Sequence, residues 1–319
     1  MNKKIASIAS LSLLGLVYSS SEAAELKPFY DDSAEKWLCG YKNDKEKIVI
    51  KAKYDGCGAF SDGLAAVFKD GEGYSQLQGF VDETGRLVIP IEHEVNPDER
   101  EGGYKSFSDG LIAVYKNGAY GYMNKDRDLV IPYTYKNASN FKDGLAIVSR
   151  KGKYGVIDKS GKIVVPLNYD WLNNYSDGLA LYTDKNHWND SFSYGYIDKR
   201  GNIVIKAKWN RACEFSEGLA AVKVGDDDSG KWGIIDKLGS YVVNPIYDEP
   251  AIQTWSHATY GECYYQGGTI NMYNYTDPSN PYESSVTRYT LNRQGDVIGK
   301  KFYSNWESII NEFIENNNL

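Results

Sequence analysis

Short apolar runs alternate with turn-forming clusters along most of this chain, and the runs are too brief for helices. Phe60-Ser-Asp-Gly-Leu-Ala-Ala-Val67 sets the pattern. Its Asp-Gly pair is turn chemistry, because Asp can bond nearby backbone and Gly accepts positive φ. The apolar run behind it reads as a buried strand. The element returns at Phe107–Val114, Phe141–Val148, Tyr175–Tyr182 and Phe215–Val222. Its glycines, Gly63, Gly110, Gly144, Gly178 and Gly218, stand 47, 34, 34 and 40 residues apart, so a unit of about 34 residues repeats with loop insertions.

A second element follows each first one. Its clearest copy is Lys153-Tyr-Gly-Val-Ile-Asp-Lys-Ser-Gly-Lys-Ile-Val-Val-Pro166. Tyr194–Ile205 and Trp232–Val243 match it closely, Gln78–Pro90 replaces the aromatic residue, and Tyr120–Pro132 lacks the turn glycine. A half-copy opens the array at Cys39-Gly-Tyr-Lys42 and runs on to Ile50. Tyr-Gly-Val-Ile reads as a strand, Asp-Lys-x-Gly as a tight turn, and Lys-Ile-Val-Val-Pro as a third strand ended by proline. Glycine inside a strand weakens it, so its recurrence implies a reason. The expected reason is room for an aromatic ring to lie over the bare position.

These paired motifs resemble the WG-repeat family, also called KWG repeats, over roughly residues 36–250. Only Trp232-Gly233 keeps Trp; the other copies with an aromatic residue use Tyr. The resemblance implies little about biochemical role.

The expected fold is all-β: tandem three-stranded antiparallel meanders, each completing its core against its neighbours. An open curved array is favoured over a closed propeller-like ring, because regular propeller blades carry four strands. Residues 1–23 read as a signal peptide, 24–36 as a lead-in, 37–250 as the repeat array, and 251–319 as a degenerate copy with a cap. Tyr289–Ile298 keeps the strand–turn–strand outline. Trp306, Ile309, Ile310, Phe313 and Ile314 fall on one helical face, predicting a C-terminal helix from Asn305, its N-cap, to about Glu315.

Lys3 and Lys4 precede an uncharged apolar run, Ile5 to Val17, and Ser21-Glu22-Ala23 suits cleavage before Ala24. The alternative is an uncleaved anchor, but the run is short of the roughly 20 residues of a span. The protein is thus expected to be exported, periplasmic or secreted in a bacterium, with no membrane span after cleavage. Cleavage removes Lys3, Lys4 and Glu22 and takes the formal charge from −7 to −8. Without a basic block, nucleic acid is set aside as a partner.

Four cysteines, Cys39, Cys57, Cys213 and Cys263, permit two disulfides in an oxidising compartment. Three connectivities remain open; Cys39–Cys57 is preferred because both would lie in the first repeat. None of the spacings suits a metal or redox site. His93, His187 and His257 are scattered, and no nucleophile or zinc motif occurs, so neither catalytic residue, metal nor cofactor is assigned. Asp226-Asp227-Asp228 reads either as a cation loop or, preferably, as a solvated hairpin tip. Asp158, Asp198 and Asp236 recur at one turn position, as turn-formers do.

Tyr154-Gly155, Tyr194-Gly195 and Trp232-Gly233 form a ladder read either as a binding surface or, preferably, as packing between units. The binding candidates are the aromatic residues outside the ladder: Trp171, Trp188, Phe192, Trp255, Tyr264 and Tyr265. The first functional expectation is a non-catalytic scaffold for a protein partner. The alternatives are a binder of glycan or cell-wall polymer, and a hydrolase with its site in the C-terminal segment.

Overall fold

The computed structural model describes residues 25–32, 36–71, 76–99, 105–185, 192–226, 229–250, 267–278, 280, 283–305, 307–309 and 312. The expected signal peptide lies outside them. The chain is all-β, in six antiparallel sheets taken in sequence order. One sheet has seven strands but is two meanders joined by a single pair, Glu94 with Tyr115, so seven units follow one another. The half-copy is the first unit, and the degenerate copy after Glu249 is the last.

The three expected strands form in every unit. In the fourth they are Leu145–Arg150, Lys153–Asp158 and Ile163–Tyr169. A further short strand, Asn137–Ala138, pairs with the first of these. The fifth, sixth and seventh units gain such an outer strand too, as does the second through Gly56–Ser61. In the first unit the lead-in supplies a strand, Lys27–Asp31.

Three local expectations need correction. Proline does not end the third strand: Pro90, Pro132, Pro166 and Pro245 lie inside it. That strand is the last of its meander, where a missing N–H costs no ladder bond. The units without proline there carry lysine pairs instead, Lys51 and Lys53, Lys206 and Lys208, Lys300 and Lys301. Both devices discourage edge-to-edge pairing.

The repeated glycine makes room for backbone, not for a ring. Tyr154 pairs with Tyr169 but Val156 with Val165, so the third strand bulges opposite Gly155. A Cβ on Gly155 would stand 2.6 Å from the Val165 carbonyl oxygen. Gly40, Gly79, Gly121, Gly195 and Gly233 meet the same strand equally closely. In the last unit Tyr289 holds this place, and it can, because there the third strand pairs Tyr289 directly with Lys300 without that bulge.

The preferred disulfide, Cys39–Cys57, is present. It does not lie within one repeat, however: Cys39 is in the first unit and Cys57 in the outer strand of the second. Cys213 is also disulfide-bonded, and Cys263 lies outside the described residues.

Buried clusters straddle consecutive units. One joins Cys39, Tyr41 and Ile50 to Ala65 and Val67; the next joins Phe68 and Phe80 to Phe107 and Ile112. The series continues to a cluster joining Trp232 and Ile234 to Ile270 and Met272. No cluster of described residues joins the first unit to the last. Tyr41, Tyr122 and Tyr196 each place a ring edge-on to the turn aromatic residue of the next unit, Phe60, Phe141 and Phe215. Each hydroxyl donates to a backbone carbonyl there, of Gly58, Ser139 and Cys213. Burial pushes all three phenols far above their ordinary range.

The Asp-Gly turns add a latch between units. Both residues are left-handed, as at Asp109 (φ 54°) and Gly110 (φ 81°), which is a primed hairpin turn. The acid then reaches into the following unit. Gly110 N–H donates to Asp62 (2.8 Å), Gly144 to Asp109 (2.6 Å), Gly218 to Asp177 (2.6 Å) and Gly268 to Glu217 (2.8 Å). The next unit's turn cation closes over some of these turns: Lys237 donates to the Asp177 carbonyl and Arg293 to Glu217. Asp177→Ala should lose about 1.5–3 kcal/mol, the range for a hydrogen bond to a charged group. Asp177→Asn keeps an acceptor and tolerates left-handed backbone, so it should lose less. Urea midpoints of the two variants against the parent check this ordering.

The C-terminal helix is described at residues 307–309 and 312. Ser308 N–H donates to Asn305 Oδ1 (3.1 Å), so Asn305 is the N-cap. Ile309 packs on Tyr273, Val286 and Tyr303 of the last sheet. Trp306, Ile310, Phe313 and Ile314 lie outside the described side chains.

Candidate functional site

The meanders have two ends. One holds the Asp-Gly turns, whose acids bond the following unit, and the Asp-Lys-x-Gly turns, whose acids bond their own turn. Asp158, Asp198 and Asp236 each accept two backbone N–H groups of their own turn. The Thr84 hydroxyl and the backbone and Arg86 donors around Asp82 hold its carboxyl down at about 2. The opposite end carries the hairpin loops that differ from unit to unit.

At that variable end, one row of the fifth unit collects aromatic side chains. Trp171 pairs with Thr183, Thr183 with Tyr194, and Tyr194 with Trp209. Directly paired residues share a face of the pleat. Phe192, two residues before Tyr194 on the same strand, shares it as well. The row grades from dry to wet. Trp209 is 1% exposed and donates its indole N–H to the Tyr241 hydroxyl (3.2 Å). Trp171 and Tyr194 are half-buried against the cluster shared with the sixth unit. Phe192 is 45% exposed, beside the 186–191 insertion that carries Trp188. Thr183 sits among them with a buried hydroxyl that has no hydrogen-bond partner among the described residues. Side chains of this kind stack on apolar or sugar surfaces, and none supplies a nucleophile activated by a base.

Of the six binding candidates, Trp171 and Phe192 are thus brought to one face. Trp188, Trp255, Tyr264 and Tyr265 lie outside the described residues. The ladder residues pack between units: Tyr154 and Tyr194 half-buried, Trp232 buried. Gly155, Gly195 and Gly233 face the bulged strand. Asp226 accepts from the backbone N–H and hydroxyl of Ser229, closing a hairpin tip. Sequence reasoning missed Thr183 and Trp209. Trp209 had a signal: an aromatic residue recurs four positions after the buried aliphatic of the third strand, as Tyr54, Tyr135, Tyr169 and Tyr247. Thr183 had none, since its importance lies in its cross-strand neighbours.

Comparison with known proteins fits this architecture. The family model of a WG containing repeat matches residues 40–72, 120–154, 154–188, 194–226 and 232–255. Four of the five matches begin at an aromatic-Gly pair and the first begins at Gly40, and all five run into the sheet that follows, so the sequence repeat bridges two structural units. No curated protein matches the chain in sequence. A solved structure described as the crystal structure of the eukaryotic initiation factor is similar over 87% of this chain and 74% of its own, with TM-score 0.54 and 11% identity. That likeness is one of fold alone. The structure of Kluyveromyces lactis Hsv2p is similar over 86% of this chain and 94% of its own, with TM-score 0.44 and 10% identity.

Proposed function

This chain belongs to the family of WG-containing repeat proteins, and from that premise we propose that it is an exported, non-catalytic scaffold that holds a partner protein. The contact surface is the variable end of the fifth unit. The observation that carries this reading is the exposed Phe192 on one face with Trp171, while the recurrent acids and glycines are used up inside the array. Repeat arrays offer long continuous surfaces, and aromatic residues with one dry and one wet side are suited to anchor a partner. Export is supported by the charged and apolar N-terminal pattern and by the disulfide, which persists in oxidising compartments.

The test is capture from an envelope extract with the mature protein and its Phe192→Ala variant. The parent should recover the same protein reproducibly, and Phe192→Ala should weaken that capture by tenfold or more, as truncating an interface anchor does at about 2 kcal/mol. Recovery of no reproducible protein would sink the scaffold reading. The row around Thr183 also favours a second reading, a glycan or cell-envelope polymer, because a ring beside a hydroxyl suits a sugar. Co-sedimentation with purified cell wall, lost on Trp171→Ala, would select that reading. A blot of periplasmic and cytoplasmic fractions checks export in either case.

A further inference from the structure

The last sheet carries cations where the other sheets carry aromatic rings. Tyr273, Arg288 and Lys301 are paired directly across three strands and share one face. In that register Arg288 stands where Tyr120, Tyr154, Tyr194 and Trp232 stand in earlier units. Tyr303 lies beside the row, two residues beyond Lys301. The Arg288 guanidinium sits 5.5 Å and the Lys301 ammonium 5.1 Å from the centre of the Tyr303 ring, which holds both against one plane.

One carboxylate receives a donor from Arg288, Lys301 and Tyr303 alike. Glu312, on the C-terminal helix, accepts from Lys301 Nζ (2.6 Å), from the Tyr303 hydroxyl (2.6 Å) and from Arg288 Nη2 (3.4 Å). A guanidinium, an ammonium and a phenol converging on one acid make a receptor for a carboxylate. Among the described residues, two cations answer a single anion here, in a chain whose formal charge is −7. The described part of the helix is otherwise tied down by the Asn305 cap and by Ile309 against Tyr273, Val286 and Tyr303.

We propose that Arg288, Lys301 and Tyr303 form a binding site for acidic side chains of a partner polypeptide, and that Glu312 fills it in the resting chain. The helix is then a built-in competitor. A tethered carboxylate acts at an effective concentration on the order of millimolar, so an outside ligand must displace it. This site is separate from the Phe192 face, and its failure would leave that reading untouched. Lys301, on the edge strand, also discourages pairing with another chain, but that role needs no acid opposite it.

The experiment titrates fluorescent hexaglutamate into the full chain, into Glu312→Gln, and into Glu312→Gln carrying Arg288→Gln and Lys301→Gln, with hexaglutamine as the neutral control. Glu312→Gln should bind hexaglutamate at least tenfold more tightly than the parent, and the added glutamines should abolish the gain. Equal affinity of parent and Glu312→Gln, or equal binding of hexaglutamine, would overturn the proposal. A second measurement on the unaltered chain stands even where a variant fails to fold. Saturating hexaglutamate should speed amide exchange at Ser308 and Ile309 as the helix lifts, and unchanged exchange there would also overturn it.

Discussion

Gly155→Ala is expected to be among the most damaging single-atom additions this chain can suffer. The new Cβ would stand 2.6 Å from the Val165 carbonyl oxygen and 2.9 Å from Leu167 Cα and N. These are backbone atoms of a neighbouring strand, not the yielding tip of a side chain. The bulge that brings them close is fixed by its pairs on either side, Tyr154 with Tyr169 and Val156 with Val165. Relief means moving the strand away, which breaks ladder bonds and opens the cluster holding Val156 and Val165. A loss of roughly 3 kcal/mol, the upper end for overpacking, is the expected result. Gly144→Ala is the matched control. Gly144 is left-handed at φ 78° with open space where its Cβ would go. It should lose only about 1–2 kcal/mol, the cost of placing an L-residue in that region. Urea unfolding gives the two totals, and hydrogen exchange along Lys153–Tyr169 locates the damage. Equal losses at the two glycines would contradict the steric account.

The contrast shows what was readable from the sequence and what was not. Period and turn chemistry identify the strands, because Asp-Gly and Asp-Lys-x-Gly are local signals and the apolar runs between them are short. The place of Gly155 was equally plain, but its reason was not. Bulges depend on how far a partner strand runs past its pair, and one strand alone carries no mark of that. Asp62 was legible as a turn-former, yet its side chain bonds Gly110, 48 residues away. Such contacts belong to the stacking of units and leave no local trace. Pro166 misled for a related reason: a residue without N–H ends an inner strand but sits comfortably on an edge strand. The functional face was half legible. Trp171 and Phe192 stand out by departing from the repeat, whereas Thr183 matters only through the residues paired with it. Arg288, Lys301 and Glu312 escaped notice because each is an ordinary surface charge in sequence, and only the fold brings them together.

Cys39→Ala with Cys57→Ala is expected to release the first unit while leaving the rest of the array folded. The latch of turn acids begins at Asp62, and among the described residues the first unit has no such acid reaching into the second. It is tied instead by the Tyr41 hydroxyl on the Gly58 carbonyl, the Tyr41–Phe60 ring contact, their shared cluster, the ion pairs of Lys36 with Asp55 and Asp70, and the disulfide. The bridge closes a separation of 18 residues, and loss of a loop of that size removes about 3 kcal/mol in the chain-entropy account. In an array whose units contact only their neighbours, that loss stays local rather than spreading. Amide protection should therefore fall along Lys27–Tyr54, while Leu145–Tyr169 and Leu219–Tyr247 keep theirs. Limited proteolysis should then trim the N-terminal unit and stop near Gly56. Reduction of the intact protein under native conditions should give the same pattern, provided Cys213 is replaced by Ala in both samples so that its own bridge contributes nothing. A uniform loss of protection across all seven units would mean that the array unfolds as one body, and that the disulfide acts on the whole chain rather than on its first joint.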